Sequence, residues 1–132
     1  MTDRNLIDIA TDVIGNSYSP YSRFKVGAAL ECADGMVFTG CNIENAAFSA
    51  AICAEAAAVA AAVTAGRRKF KRIAIVSEGG NYYFPCGKCR QLLSEFTLDM
   101  EVLCVRSDGR YVSYPLASLI PMAFSKEHME KI

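Results

Sequence analysis

Two short runs combine residue types that do chemistry together: Cys53-Ala54-Glu55 and Pro85-Cys86-Gly87-Lys88-Cys89. Cys86 and Cys89 are three apart, so in a first helical turn their side chains share one face, and the proline ahead of them suits a sharp helix start. Two thiolates so placed grip one ion. Helix N-termini favour the thiolate, which is the form that coordinates Zn²⁺. Cys53 supplies a third sulfur if the two helix starts converge at one edge of a sheet. Three protein ligands leave zinc one open position, the arrangement of a catalytic site. With the metal ahead of the helix end, Cys53 and Glu55 both reach it, one as ligand and the other to carry protons. The alternative is a closed structural zinc site that draws a fourth sulfur from Cys32, Cys41 or Cys104, but a Glu two residues after a ligand has no purpose there. Outside that alternative, Cys32, Cys41 and Cys104 read as core thiols, Cys104 most clearly because its stretch is apolar.

These groups need rigid elements behind them. Leu6, Ile7, Ile9, Ala10, Val13 and Ile14 recur at helical steps between Thr2-Asp3 and Gly15-Asn16, which predicts an amphipathic helix. Residues 24–32 and 36–42 flank Ala33-Asp34-Gly35, so they read as a β-hairpin turned by Asp-Gly. Residues 52–65 are mostly Ala with Gly66 beyond the end, which predicts a buried helix of small side chains. Residues 73–77 and 102–105 read as buried strands with a helix over 88–98 between them. Residues 111–114 suggest an edge strand closed by Pro115, and 116–120 a short helix stopped by Pro121. This order predicts an α/β fold, a single mixed β-sheet with helices on both faces (three-layer α/β/α), in one domain over residues 1–132.

Composition narrows the function classes. A chain of 132 residues with 52% hydrophobic content is long enough to bury a core without disulfides, and disordered or fibrous classes are excluded. With 14 basic against 14 acidic residues, nothing in the charge calls for nucleic acid or an anionic membrane; a small, roughly neutral ligand fits better. The basic run Arg67, Arg68, Lys69, Lys71, Arg72 reads as a solvated connection after a helix C-terminus. The first residues carry no basic stretch followed by an apolar run, and no segment approaches the ~20 apolar residues of a membrane helix, so the expected location is the cytoplasm. Six cysteines in that compartment are thiols or metal ligands.

The two cysteine motifs resemble the signature of zinc-dependent deaminases, a Cys or His ligand, one residue, Glu, then Pro-Cys-x-x-Cys. Three further segments resemble the small homotetrameric cytidine deaminases: Tyr-Ser-x-Phe-x-Val-Gly-Ala-Ala at 21–29, Asn-Ile-Glu-Asn at 42–45, and Leu-x-Pro-x-x-Phe at 119–124. The resemblance covers nearly the whole chain. It implies one Zn²⁺ per subunit on Cys53, Cys86 and Cys89, and hydrolytic deamination of free cytidine, with 2′-deoxycytidine also a substrate, in pyrimidine salvage. Water activated by zinc attacks C4 of the base while Glu55 carries protons to N3 and to the leaving amine. Asn42 and Glu44, two apart at a strand end, face one way and bind ribose hydroxyls. The resemblance also implies that Phe24 lines the base pocket, that the Ala54 backbone N–H reads the pyrimidine, and that Phe124 closes over the base from a neighbouring subunit of a homotetramer. Rival readings are deamination of another cytosine-bearing nucleoside of the blasticidin type, editing of a nucleic acid, and a non-catalytic zinc-binding assembly module.

The chain departs from the family pattern at two positions. Ala56 stands where relatives commonly carry an Arg that hydrogen-bonds the zinc thiolates, and Arg90, just after Cys89, is the nearest cation in sequence to offset their charge. Phe48 stands where many relatives have Tyr. His128, in a charged tail over 125–131, reads as a surface residue.

Overall fold

A computed structural model of the chain describes residues 1–129, so Glu130 and Lys131 of the charged tail lie outside the described residues. The elements are α1 (Asp3–Val13), β1 (Val26–Cys32), β2 (Val37–Cys41), α2 (Ala54–Thr64), β3 (Phe70–Ser77), α3 (Gly87–Ser94), β4 (Glu101–Val105), β5 (Tyr111–Pro115) and α4 (Leu116–Leu119), with single 3₁₀ turns at Ile14–Asn16, Phe48–Ala50 and Lys126–Met129. The strands form one five-stranded sheet in the order β2-β1-β3-β4-β5. Only β3 and β4 pair in parallel, across the α3 crossover; the other pairs are antiparallel. The mixed three-layer sheet expected from the order of elements is the one observed.

Alternation along the strands sorts two cores. Ala29, Ala74, Val76, Leu103 and Val105 meet Leu6, Ile7 and Ala10 of α1 on one face. Ala28, Leu30, Ile73, Ile75, Val102 and Cys104 meet Ala54, Ala58, Val59 and Ala62 of α2, Leu93 of α3 and Leu116 of α4 on the other. Full burial of each large aliphatic side chain contributes roughly 1.5–3 kcal/mol, so the paired layers dominate the fold's stability. α2 can lie this low because β2 offers Gly40: a Cβ there would sit 2.5 Å from both the Ala54 carbonyl oxygen and the Ala58 nitrogen. Backbone therefore packs on backbone, and the first turn of α2 is pinned to the sheet.

Local chemistry explains the boundaries. Thr2 caps α1, reciprocally with Asn5, in a capping box. Gly35 turns the β1–β2 hairpin at φ 89°, and the Asp34 carboxylate accepts from the Met36 N–H. α3 ends at Ser94, earlier than the expected 98: the Thr97 hydroxyl accepts from the Asp99 N–H in a local turn, and Phe96 leaves the helix to pack on Phe70 at 4.8 Å. In the basic run, Arg68 donates to the Val63 carbonyl at the end of α2, Arg67 pairs with Asp34, and Arg72 is tied to Glu31 and Asp3. The three arginines of that run are thus committed to capping and ion pairs rather than presented as a free basic stripe.

Candidate active site

Both cysteine motifs fall at helix N-termini, and the fold brings those termini together. Cys53 is the N-cap of α2 and Cys86 the N-cap of α3, each in extended backbone with no side-chain cap hydrogen bond; Cys89 lies in the first turn of α3, fully buried. The three Sγ atoms all lie within 4.8 Å of one another. Zn–S bonds of about 2.3 Å place tetrahedral sulfurs ~3.8 Å apart, so modest side-chain adjustment suffices to bind one ion. Among the described residues no other His, Cys, Asp or Glu joins this group. Cys32 and Cys104 are core residues of the α2 face, and burial pushes the Cys104 thiol up to about 11. A fourth thiolate from Cys32, Cys41 or Cys104 is therefore not supported.

The sulfurs are electrostatically uneven. Hydrogen bonding from the Cys89 thiol, then from Cys86, with Lys88 nearby, lowers Cys53 to about 6 against the cost of burial. Cys89, the donor partner, is correspondingly raised.

Glu55 is 0% exposed, and neither carboxylate oxygen has a hydrogen-bond partner among the described residues. Burial, reinforced by the charge of Cys53, pushes it up to about 7. A buried carboxylate without partners is costly, so its position beside three thiols points to a group that completes it. Its environment and the sulfur triad fit a catalytic zinc ion.

In front of Cys53 and Ala54 opens a cavity of about 400 Å³, which Phe24, Asn42 and Glu44 also line. Asn42 and Glu44 follow β2, as expected, and both are engaged. The Asn42 Nδ2 donates to the Phe24 carbonyl at 2.8 Å, and its Oδ1 accepts from the Val26 N–H and the Ser17 hydroxyl. The Glu44 carboxylate accepts from the Tyr21 and Ser22 N–H groups at 2.9 and 3.1 Å and from the Ser22 hydroxyl, and these hydrogen bonds, led by the hydroxyl, hold it below the ordinary carboxylate range. Both residues thus fix the loop that carries Phe24.

Sequence reasoning missed two residues here. The Tyr83 ring forms part of the cavity wall, tilted against Phe24 at 6.1 Å, and its phenol is raised by burial and by Glu55. A Cβ at Gly79 would lie 2.9 Å from Phe24 Cε1, so this glycine leaves the space that the ring occupies. Gly79 stands in a Gly79-Gly80-Asn81 run of loop-type residues, and no spacing rule ties it to Phe24.

Two expected residues lie away from the cavity. Phe124 is 58% exposed, stacks on His128 at 5.6 Å, and does not line it. The Arg90 guanidinium donates to the Pro85 and Leu119 carbonyl oxygens, each at 2.7 Å. His128 is exposed, and its Nδ1 accepts from the Ser125 N–H.

Residues 1–105 match the model of the cytidine and deoxycytidylate deaminase zinc-binding region. The chain belongs to this deaminase family. A cytidine deaminase from Sporosarcina psychrophila is 45% identical over 86% of this chain and 84% of its own length. One from Halalkalibacterium halodurans is 39% identical over 98% of both chains. The crystal structure of a cytidine deaminase from Burkholderia pseudomallei superposes with a TM-score of 0.91 at 42% identity, covering 94% of this chain and all of that one. The matched region is a zinc-binding one, and the three converging cysteines form a possible zinc site within it.

Proposed function

We propose that this chain is a hydrolytic cytidine deaminase that converts cytidine and water to uridine and ammonia. The observation that carries the reading is the buried, unpartnered Glu55 carboxylate beside three converging thiols, one of which, Cys53, lines the cavity. Cys53, Cys86 and Cys89 would hold the zinc ion, which when bound would supply a water acidified to near neutrality. Glu55 would accept a proton from the attacking water and deliver it to N3 of the base, then move the proton of the new C4 hydroxyl to the amine, so that the C4–N4 bond breaks and ammonia leaves. Its pKa, pushed up by burial to about 7, suits both directions of transfer near neutral pH.

The cavity residues divide the rest of the work. Phe24 flanks the base, the Ala54 N–H at the start of α2 donates to the pyrimidine, and Asn42 and Glu44 meet the ribose hydroxyls with the capacity their loop bonds leave free. A ribose site of this kind favours cytidine and 2′-deoxycytidine over a blasticidin-type nucleoside. The protein works in pyrimidine salvage in the cytoplasm, as one domain over residues 1–132, with one zinc per subunit.

Phe124 completes a neighbouring subunit's site in a homotetramer. Exposed Phe48, Phe124, Tyr18, Tyr21, Ile43 and Ile52 are the apolar surface that such an assembly would cover. Among the described residues no helix is long and apolar enough to cross a membrane.

An ultraviolet time course of cytidine with the zinc-loaded protein, beside a zinc-stripped sample, tests the reading. Conversion to uridine that is lost on stripping and restored by zinc is expected. Zinc-loaded, folded protein that spares cytidine while deaminating a blasticidin-type nucleoside, or that releases no ammonia from either, overturns it.

A further inference from the structure

Arg90 stands in a place that needs explaining. It lies in the first turn of α3, where the helix dipole disfavours a cation. Its Nε donates to the Pro85 carbonyl at 2.7 Å, and its Nη1 donates to the Leu119 carbonyl at 2.7 Å. Pro85 is the buried residue immediately before Cys86, and Leu119 ends α4, where carbonyls lack helical partners. The next residue repeats the pattern, with Gln91 Nε2 donating to the Phe124 carbonyl at 2.8 Å. Two consecutive side chains therefore fasten the segment 119–124 to the helix that carries Cys86 and Cys89.

We propose that Arg90 is a positioning residue for the metal site: by bridging the Pro85 and Leu119 carbonyls it fixes the turn into α3 and so sets the Cys86 and Cys89 sulfurs opposite Cys53. The bridge, rather than the charge, is the active property. Its two bonds, 29 residues apart in sequence at the longer span, use the rigid fork of the guanidinium. Among the described residues both of its hydrogen-bonded nitrogens go to carbonyl oxygens and neither to a sulfur. Ala56 is then tolerated because the loop is held by geometry, and the same bridge carries the position of the metal turn to the segment that presents Phe124.

This inference rests on the reading of Cys53, Cys86 and Cys89 as the zinc ligands, and its test separates the two. Zinc-loaded wild type, Arg90→Ala, Arg90→Lys and Gln91→Ala are each challenged with a colorimetric zinc chelator, and backbone hydrogen exchange is followed over residues 119–124. Lysine keeps the charge but offers a single point donor that cannot span both carbonyls. The expected result is that Arg90→Lys resembles Arg90→Ala: zinc affinity falls roughly 10-fold or more, and exchange rises around Leu119. Gln91→Ala raises exchange near Phe124 and leaves zinc retention unchanged. Retention restored by lysine would overturn the bridge in favour of charge compensation. Variants that hold zinc and protect 119–124 as wild type does would remove any positioning role. A wild type that takes up no zinc would instead defeat the ligand assignment itself.

Discussion

Two glutamates on the same cavity side of the molecule are treated in opposite ways. Glu55, in the first turn of α2, is fully buried with no hydrogen-bond partner among the described residues, and burial lifts it to about 7. Glu44 is half-buried, accepts three hydrogen bonds from Tyr21 and Ser22, and is held below its ordinary range. One environment prepares a carboxyl group to gain and lose a proton near neutrality; the other keeps it ionised as a fixed acceptor. The contrast separates a reacting group from a shaping group without reference to any motif.

The largest effect expected is from breaking the cysteine cluster that gives Glu55 its role. Cys53→Ser, Cys86→Ser or Cys89→Ser should each abolish stoichiometric zinc and leave no measurable deamination, checked by metal analysis and steady-state rates. Next comes Gly40→Ala. Its Cβ would meet α2 backbone at 2.5 Å, so it should destabilise the fold by about 1–3 kcal/mol, read from denaturant unfolding, and loosen zinc by shifting Cys53. Gly79→Ala acts on the rim instead. It displaces the Phe24 ring and should raise KM roughly 10-fold with a smaller change in kcat, measured by steady-state kinetics.

The contrast was only partly legible in the sequence. Glu55 reads as a proton carrier from its spacing to Cys53 and the later Pro-Cys-x-x-Cys motif, and the fold buries it beside the converging cysteines. Glu44 was read as a ribose ligand, and its hold on the Tyr21-Ser22 turn was invisible because it joins residues more than 20 apart through backbone N–H groups. Tyr83 was hidden for a similar reason, lying in an irregular stretch with no periodicity. The α3 boundary slipped from 98 to Ser94 because a local hydroxyl turn at Thr97 competed with helix propensity. Fold class rested on the order of apolar strand runs and helices and survived these local misses.

Acid should sharpen the comparison at the rim. A carboxylate held below its unfolded value contributes stability that is complete above that value and lost as pH falls through the folded one. Amide protection at Tyr21 and Ser22 should therefore fall on acidification below the ordinary carboxylate range, and Glu44→Gln should flatten this dependence, as followed by hydrogen exchange. The smallest effect is expected at Cys104, buried and raised to about 11. It should resist alkylation at neutral pH under conditions that modify Cys53 in zinc-free protein, with mass spectrometry as the check.

The most direct test of the central claim is Glu55→Gln in the zinc-loaded protein, measured for zinc content and cytidine turnover in the same sample. The substitution preserves shape and removes the proton carrier. Full zinc occupancy with turnover reduced about 10²–10⁴-fold is predicted. Turnover near the wild-type rate at full zinc occupancy would contradict the account and make the buried carboxylate a bystander.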